Sequence, residues 1–177
     1  MFAEKKKKVL LINDSITGDY FLDNYLRLGD FYQKYFTSVS LGVDFWNVSQ
    51  LGFPKKLDLL PYQVVYYFSG INQNALRKSE SIETLSFYLD QGGNIILSGN
   101  CLHANLKGTA FLKDYFGIDI YSTNIREQTV IGSNKTVMEG MSFDLVDSMI
   151  DGGIYTPYPS LTILDGDTVS LFTYLSG

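Results

Sequence analysis

The residues of this 177-residue chain that could do chemistry gather in short stretches. Cys101 and His103 are the single cysteine and single histidine, set in Gly99-Asn-Cys-Leu-His103 directly after the apolar run Asn94-Ile-Ile-Leu-Ser98. A buried strand running into such a turn is how α/β enzymes expose a nucleophile. A useful thiolate needs a lowered pKa and a base within hydrogen-bond reach. Cys101 and His103 are therefore the candidate catalytic residues, with backbone N–H groups near Gly70 and Leu102 as candidate oxyanion donors. Residues two apart on a turn need not face one another, and no histidine follows His103, so a conventional Cys-His-acid triad cannot be assembled from this chain. A cysteine that fills a small pocket behind the turn is the plainer reading. A second stretch, Ser15-Ile-Thr-Gly18, offers hydroxyls and backbone N–H groups to an anion, but Asp14 and Asp19 flank it and would repel a phosphate. There is no histidine pair, no CxxC and no spaced acidic loop, so neither a metal nor a cofactor is expected.

Strands and helices must position these groups. Val9-Leu-Leu-Ile12 and Gln63-Val-Val-Tyr-Tyr-Phe68 are continuous apolar runs ending in small polar residues, as in strands buried on both faces. Val43 to Val48 alternates like an edge strand. Apolar residues at 21, 25, 28, 32 and 35 predict an amphipathic helix over 19–36, weakened in its middle by Gly29. Residues 52–60 read as a loop. A second helix is expected from an N-cap at Ser79, burying Ile82, Leu85, Tyr88 and Leu89 and stopping at Gly92. Thr109 can cap a short helix through Phe116, closed by Gly117. Short extended pieces at 118–121 and 128–131 follow. Residues 160–164 and 168–174 read as a hairpin across Asp165-Gly-Asp167.

Alternating strands and helices of this kind predict an α/β fold, a three-layer sandwich around a doubly wound, mainly parallel sheet with a C-terminal β-hairpin. Residues 1–8 form a basic arm and 9–177 a single domain. Such sheets bind ligands at the carboxyl ends of their strands, near the switch in strand order. That rule selects Asp14, Ser15, Gly70, Asn72 and Asn100 as candidate ligand-binding residues beside Cys101 and His103.

Composition narrows the partners. A 45% hydrophobic, 19% charged chain is globular, and no apolar run approaches the ~20 residues that span a bilayer. The N-terminus has lysines but no apolar core before a cleavage site, so it is not an intact signal peptide. A net charge of −5 argues against general affinity for nucleic acid or anionic membrane. Most of the thirteen tyrosines and twelve phenylalanines are expected to pack core and rim, while an excess of tyrosine also suits exposed contact surfaces, so a small ligand, a protein partner or a homo-oligomer are the open expectations.

Several stretches are similar to the class I glutamine amidotransferase-like superfamily: Val9-Leu-Leu-Ile-Asn-Asp14, Phe45-Trp-Asn-Val48, Tyr62 to Gly70, Leu89 to Asn100, Phe111 to Gly117, Val130-Ile-Gly132 and Glu139 to Phe143. The resemblance is strongest to domains of that type attached to secreted bacterial proteins, including some with peptidase modules. It implies a flavodoxin-like α/β sandwich and an exported or cell-surface bacterial setting. In the enzymes of that superfamily the elbow reads Gly-x-Cys-x-Gly, with a later His and Glu. Here Gly99 and Cys101 stand in place, His103 replaces the last glycine, and the later histidine is absent. The relatives continue past the final hairpin, so the stop at Leu175-Ser-Gly177 reads as a truncated module. The resemblance thus implies a non-catalytic binding or structural module. The alternative is a cysteine-dependent hydrolase or amidotransferase-like enzyme. A second alternative is a flavodoxin-like nucleotide binder, because Ser15 to Gly18 resembles the flavodoxin phosphate loop.

Overall fold

In the computed structural model, residues 7–15, 28–38, 42–70, 72–99, 101–125, 129–132, 139–144, 158–163 and 172–174 are described. The chain divides into two compact units, Met1–Leu106 and Lys107–Gly177.

The N-terminal unit is an α/β sandwich built on four parallel strands: β1 (Lys7–Asn13), β2 (Val43–Asn47), β3 (Tyr62–Phe68) and β4 (Asn94–Ser98), in the order β2-β1-β3-β4. From β1 the chain steps one way to β2 and then the other way to β3 and β4. Because parallel crossovers are right-handed, that reversal puts the connecting helices on opposite faces. The central strands are apolar throughout because both faces are covered: Leu10, Leu11, Ile12, Val65, Tyr67 and Phe68 are fully buried. Each such side chain contributes ~1.5–3 kcal/mol by leaving water. One face joins Val9, Leu11 and Phe68 to Val43, Phe45, Val64 and Tyr66, roofed by Tyr32 and Phe36 from α1 (Leu28–Ser38). Tyr32 meets Tyr66 edge-on at 5.0 Å between ring centroids, a favoured aromatic geometry.

Several expectations shift here. The described first helix begins at Leu28, so Gly29 sits in its first turn; the predicted start, 19–27, lies outside the described residues. The 52–60 segment contains a helical turn, α3 (Lys56–Leu59), because the Asp58 carboxylate accepts from the Lys55 N–H and caps it. A preceding turn, α2 (Val48–Leu51), is capped by Asn47. The helix α4 (Ser79–Asp90) takes Lys78 as N-cap, and Ser79 is its first helical residue. Its buried stripe is Ser81, Thr84, Leu85 and Tyr88, rotated from the apolar stripe that the sequence offers. The small Ser81 and Thr84 join the expected Leu85 and Tyr88 inside, while Ile82 and Leu89 are half-buried. Gly92 (φ +77°) ends it as expected. At Gly93 a Cβ would sit 2.3 Å from the Tyr88 ring.

After β4 comes α5 (Leu102–Leu106). In the C-terminal unit, α6 (Ala110–Phe116) is capped by the Thr109 hydroxyl and closed by Gly117 in the left-handed conformation, as the sequence predicts. Then follow β5 (Ile118–Ile125), β6 (Thr129–Gly132), β7 (Ser142–Asp144), β8 (Tyr158–Ile163) and β9 (Phe172–Tyr174). Among the described residues β8 pairs with β5 and β9 with β6, both antiparallel. The turn of the expected hairpin, Asp165-Gly-Asp167, and most of its second strand lie outside the described residues.

Candidate functional site

The switch in strand order falls between β1 and β3, and their carboxyl ends are stitched together. The Asp14 N–H donates to the Phe68 carbonyl at 2.9 Å, extending the ladder by one residue. The Tyr67 hydroxyl donates to Asp14 Oδ2 at 2.5 Å. The Asn72 amide donates to the Asp14 carbonyl at 2.7 Å, while its own N–H donates to the Ser69 carbonyl at 2.9 Å, closing a turn through Gly70 (φ +53°). Asp14, Gly70 and Asn72 are thus brought together as the sequence expects. Ser15 is adjacent, but its N–H and hydroxyl both donate to Asn13 Oδ1, a local turn. Ile16 to Gly18 and Asn100 lie outside the described residues.

Burial raises the proton affinity of the Asp14 carboxyl. The Tyr67 hydroxyl, the Asn72 amide and the Lys78 charge oppose that rise without cancelling it. Burial, reinforced by the neighbouring Asp14 carboxylate, pushes the Tyr67 hydroxyl far above the usual phenol range. Tyr67 is therefore a fixed donor, not a proton source. Asp14 is an acceptor that takes a proton more readily than a surface carboxylate. Sequence reasoning passed over Tyr67, although a buried tyrosine near a strand end needs a partner for its hydroxyl.

The third strand end differs in kind. The Ser69 N–H donates to the Ser98 carbonyl at 2.9 Å, joining β3 to β4. Ser69 is fully buried, and its Oγ has no hydrogen-bond partner among the described residues. A Cβ at Gly99 would fall 1.9 Å from that oxygen and 3.3 Å from Leu102 Cγ. The glycine of the elbow is thus required by close approach of Ser69 and α5. Cys101 is half-buried and in no disulfide; its carbonyl accepts from Ala104 and Asn105, opening α5. His103 lies inside that helix, half-buried.

Asn105 was not singled out by sequence, yet it anchors the turn. Its amide donates to the carbonyls of Gln73 (3.0 Å) and Ala75 (2.8 Å), and its oxygen accepts from Arg77 Nε (2.9 Å). It holds a loop in which buried Leu76 adopts φ +52°. Nearby, a half-open groove of about 730 Å³ runs between the 53–58 segment and the start of α4, with Phe53, Pro54, Lys78, Ser81 and Thr84 among its walls. Lys78 both lines it and acts on Asp14 through its charge.

The chain matches no family model, and no curated protein matches it. A solved structure to which it is similar is that of a ThuA-like protein from Bacteroides uniformis, at 16% identity and a TM-score of 0.48. The match covers 81% of this chain and 60% of that one, so the chain spans less than two thirds of that protein's length.

Proposed function

We propose that this chain is an amidotransferase-like module of an exported or cell-surface bacterial protein that binds rather than catalyses, with the β1–β3 switch point as its crevice. The family and the setting rest on the sequence resemblance. The parallel order β2-β1-β3-β4 supports the flavodoxin-like part of it.

One observation carries the non-catalytic reading: the only histidine stands two residues beyond the only cysteine and inside α5. Cys101 stands just ahead of that helix, as its opening turn residue, and residues two apart along a helix do not share a face. The sequence holds no second histidine to complete the cysteine–histidine–acid arrangement of nucleophilic catalysis. What remains at the crevice is a half-buried carboxylate, the Asn72 amide and backbone groups, a set suited to a ligand carrying hydrogen-bond donors.

The test is the alkylation rate of Cys101 in the folded protein between pH 5 and 9. A rate that is negligible, or climbs only above about pH 8 like an ordinary thiol, is expected. A rate already level near pH 6 overturns the proposal in favour of the cysteine-dependent enzyme.

A further inference from the structure

Strand β4 ends the four-stranded sheet, and among the described residues no strand pairs with its outer edge. Sheet edges invite pairing unless charge, proline or a bulge blunts them. The sequence Asn94-Ile-Ile-Leu-Ser98 contains none of these. Ile96 is 53% exposed, beside Tyr66 on the same face of the sheet. The opposite edge strand, β2, carries Asp44 in its middle and is followed at once by the α2 turn, to which Trp46 ties back through Gly52.

The backbone of β4 says how a partner would pair. The Ser98 carbonyl accepts from Ser69 on β3. Backbone groups alternate along a strand, so Asn94 and Ile96 also turn their N–H and C=O toward β3. Ile95 and Leu97 present theirs to the outer edge.

We infer that β4 is a self-pairing edge: two copies of this chain join antiparallel about Ile96 and form one continuous eight-stranded sheet. The strand is its own complement in that register. Asn94 stands opposite Ser98 of the second copy, Ile95 opposite Leu97, and Ile96 opposite itself, polar against polar and apolar against apolar with no like charges meeting. The outward groups of Ile95 and Leu97 supply the ladder hydrogen bonds, and the Ile96 pair is a non-hydrogen-bonded one, in which side chains approach most closely. A two-fold pairing of one patch with itself closes at a dimer.

The full chain is followed by sedimentation over a wide concentration range. Wild type is expected to pass from monomer to dimer mass, and Ile96→Lys, a change at an exposed side chain, to remain monomeric with its circular dichroism unchanged. In a Cys101→Ser background, Ile96→Cys should oxidise to a disulfide-linked dimer, since the paired Cα atoms lie ~4.5 Å apart. Ile95→Cys in the same background should not. Wild type that stays monomeric overturns the inference and leaves the edge to a strand of another protein. A dimer indifferent to Ile96→Lys, or cross-linking equally through Ile95→Cys, overturns it as well.

Discussion

The two ends of β3 neighbours are held by opposite means. Between β1 and β3 half-buried polar groups answer one another: Asp14 meets Tyr67 and the Phe68 carbonyl, and Asn72 meets the carbonyls of Ser69 and Asp14. Between β3 and β4 the fit is steric. The Ser69 hydroxyl is buried with no partner among the described residues, against a glycine whose place a larger residue could take only if that side chain moved. A buried polar atom left unpaired costs stability, whereas a paired one contributes only modestly. The comparison therefore puts the reserve of recoverable stability at the elbow and the mutually bonded polar groups at the switch point.

The largest test of that contrast is Gly99→Ala. Its Cβ meets the buried Ser69 hydroxyl oxygen, which must shift, so a loss of ~1–3 kcal/mol is expected from urea midpoints at constant slope. A loss under ~1 kcal/mol would mean that the elbow is loosely packed. Next comes Tyr67→Phe, expected to cost ~2 kcal/mol near neutral pH, because a part-buried carboxylate loses its hydroxyl donor. The pH dependence has a defined sign. The folded carboxyl of Asp14 holds its proton more tightly than the unfolded one, so its contribution is full below the unfolded pKa and fades as pH rises through the folded pKa. Removing the hydroxyl that counters this rise moves the fade to higher pH, so the gap between variant and wild type should widen from acid to neutral solution. A pH-independent gap would show that Asp14 is not the group affected. The smallest effect belongs to Ser69→Ala, which deletes an unanswered hydroxyl and should be neutral or stabilising within ~1 kcal/mol. A clear loss would reveal a partner for that oxygen.

What the sequence disclosed follows from range of interaction. The strands β1 and β3 were legible because buried strands admit little but apolar residues, and α6 because its cap and closing glycine lie within nine residues. Strand β4 was legible from its apolar run, although it proves to be a part-exposed edge. In the inward stripe of α4, Leu85 and Tyr88 were legible, while Ser81 and Thr84 were not, since they are buried by the approach of other elements and not by their own hydrophobicity. In the site, Asp14, Gly70 and Asn72 could be read from the rule of strand ends. Tyr67 and Asn105 could not. Their roles depend on partners 53 and about 30 positions away, and nothing local marks an amide that will clamp a distant loop.

Leu76 shows how such a loop is confined. It is buried, and its backbone is left-handed at φ +52°. Glycine would relax that backbone but leave a cavity the size of a leucine side chain. Isoleucine or valine would fill the cavity but could not bear the dihedral. Asparagine tolerates the dihedral and would bury an amide in an apolar place. None of these substitutions meets both demands, so drift at this position is constrained from either side. The spacing between the Gly70 turn and the start of α4 is fixed with it.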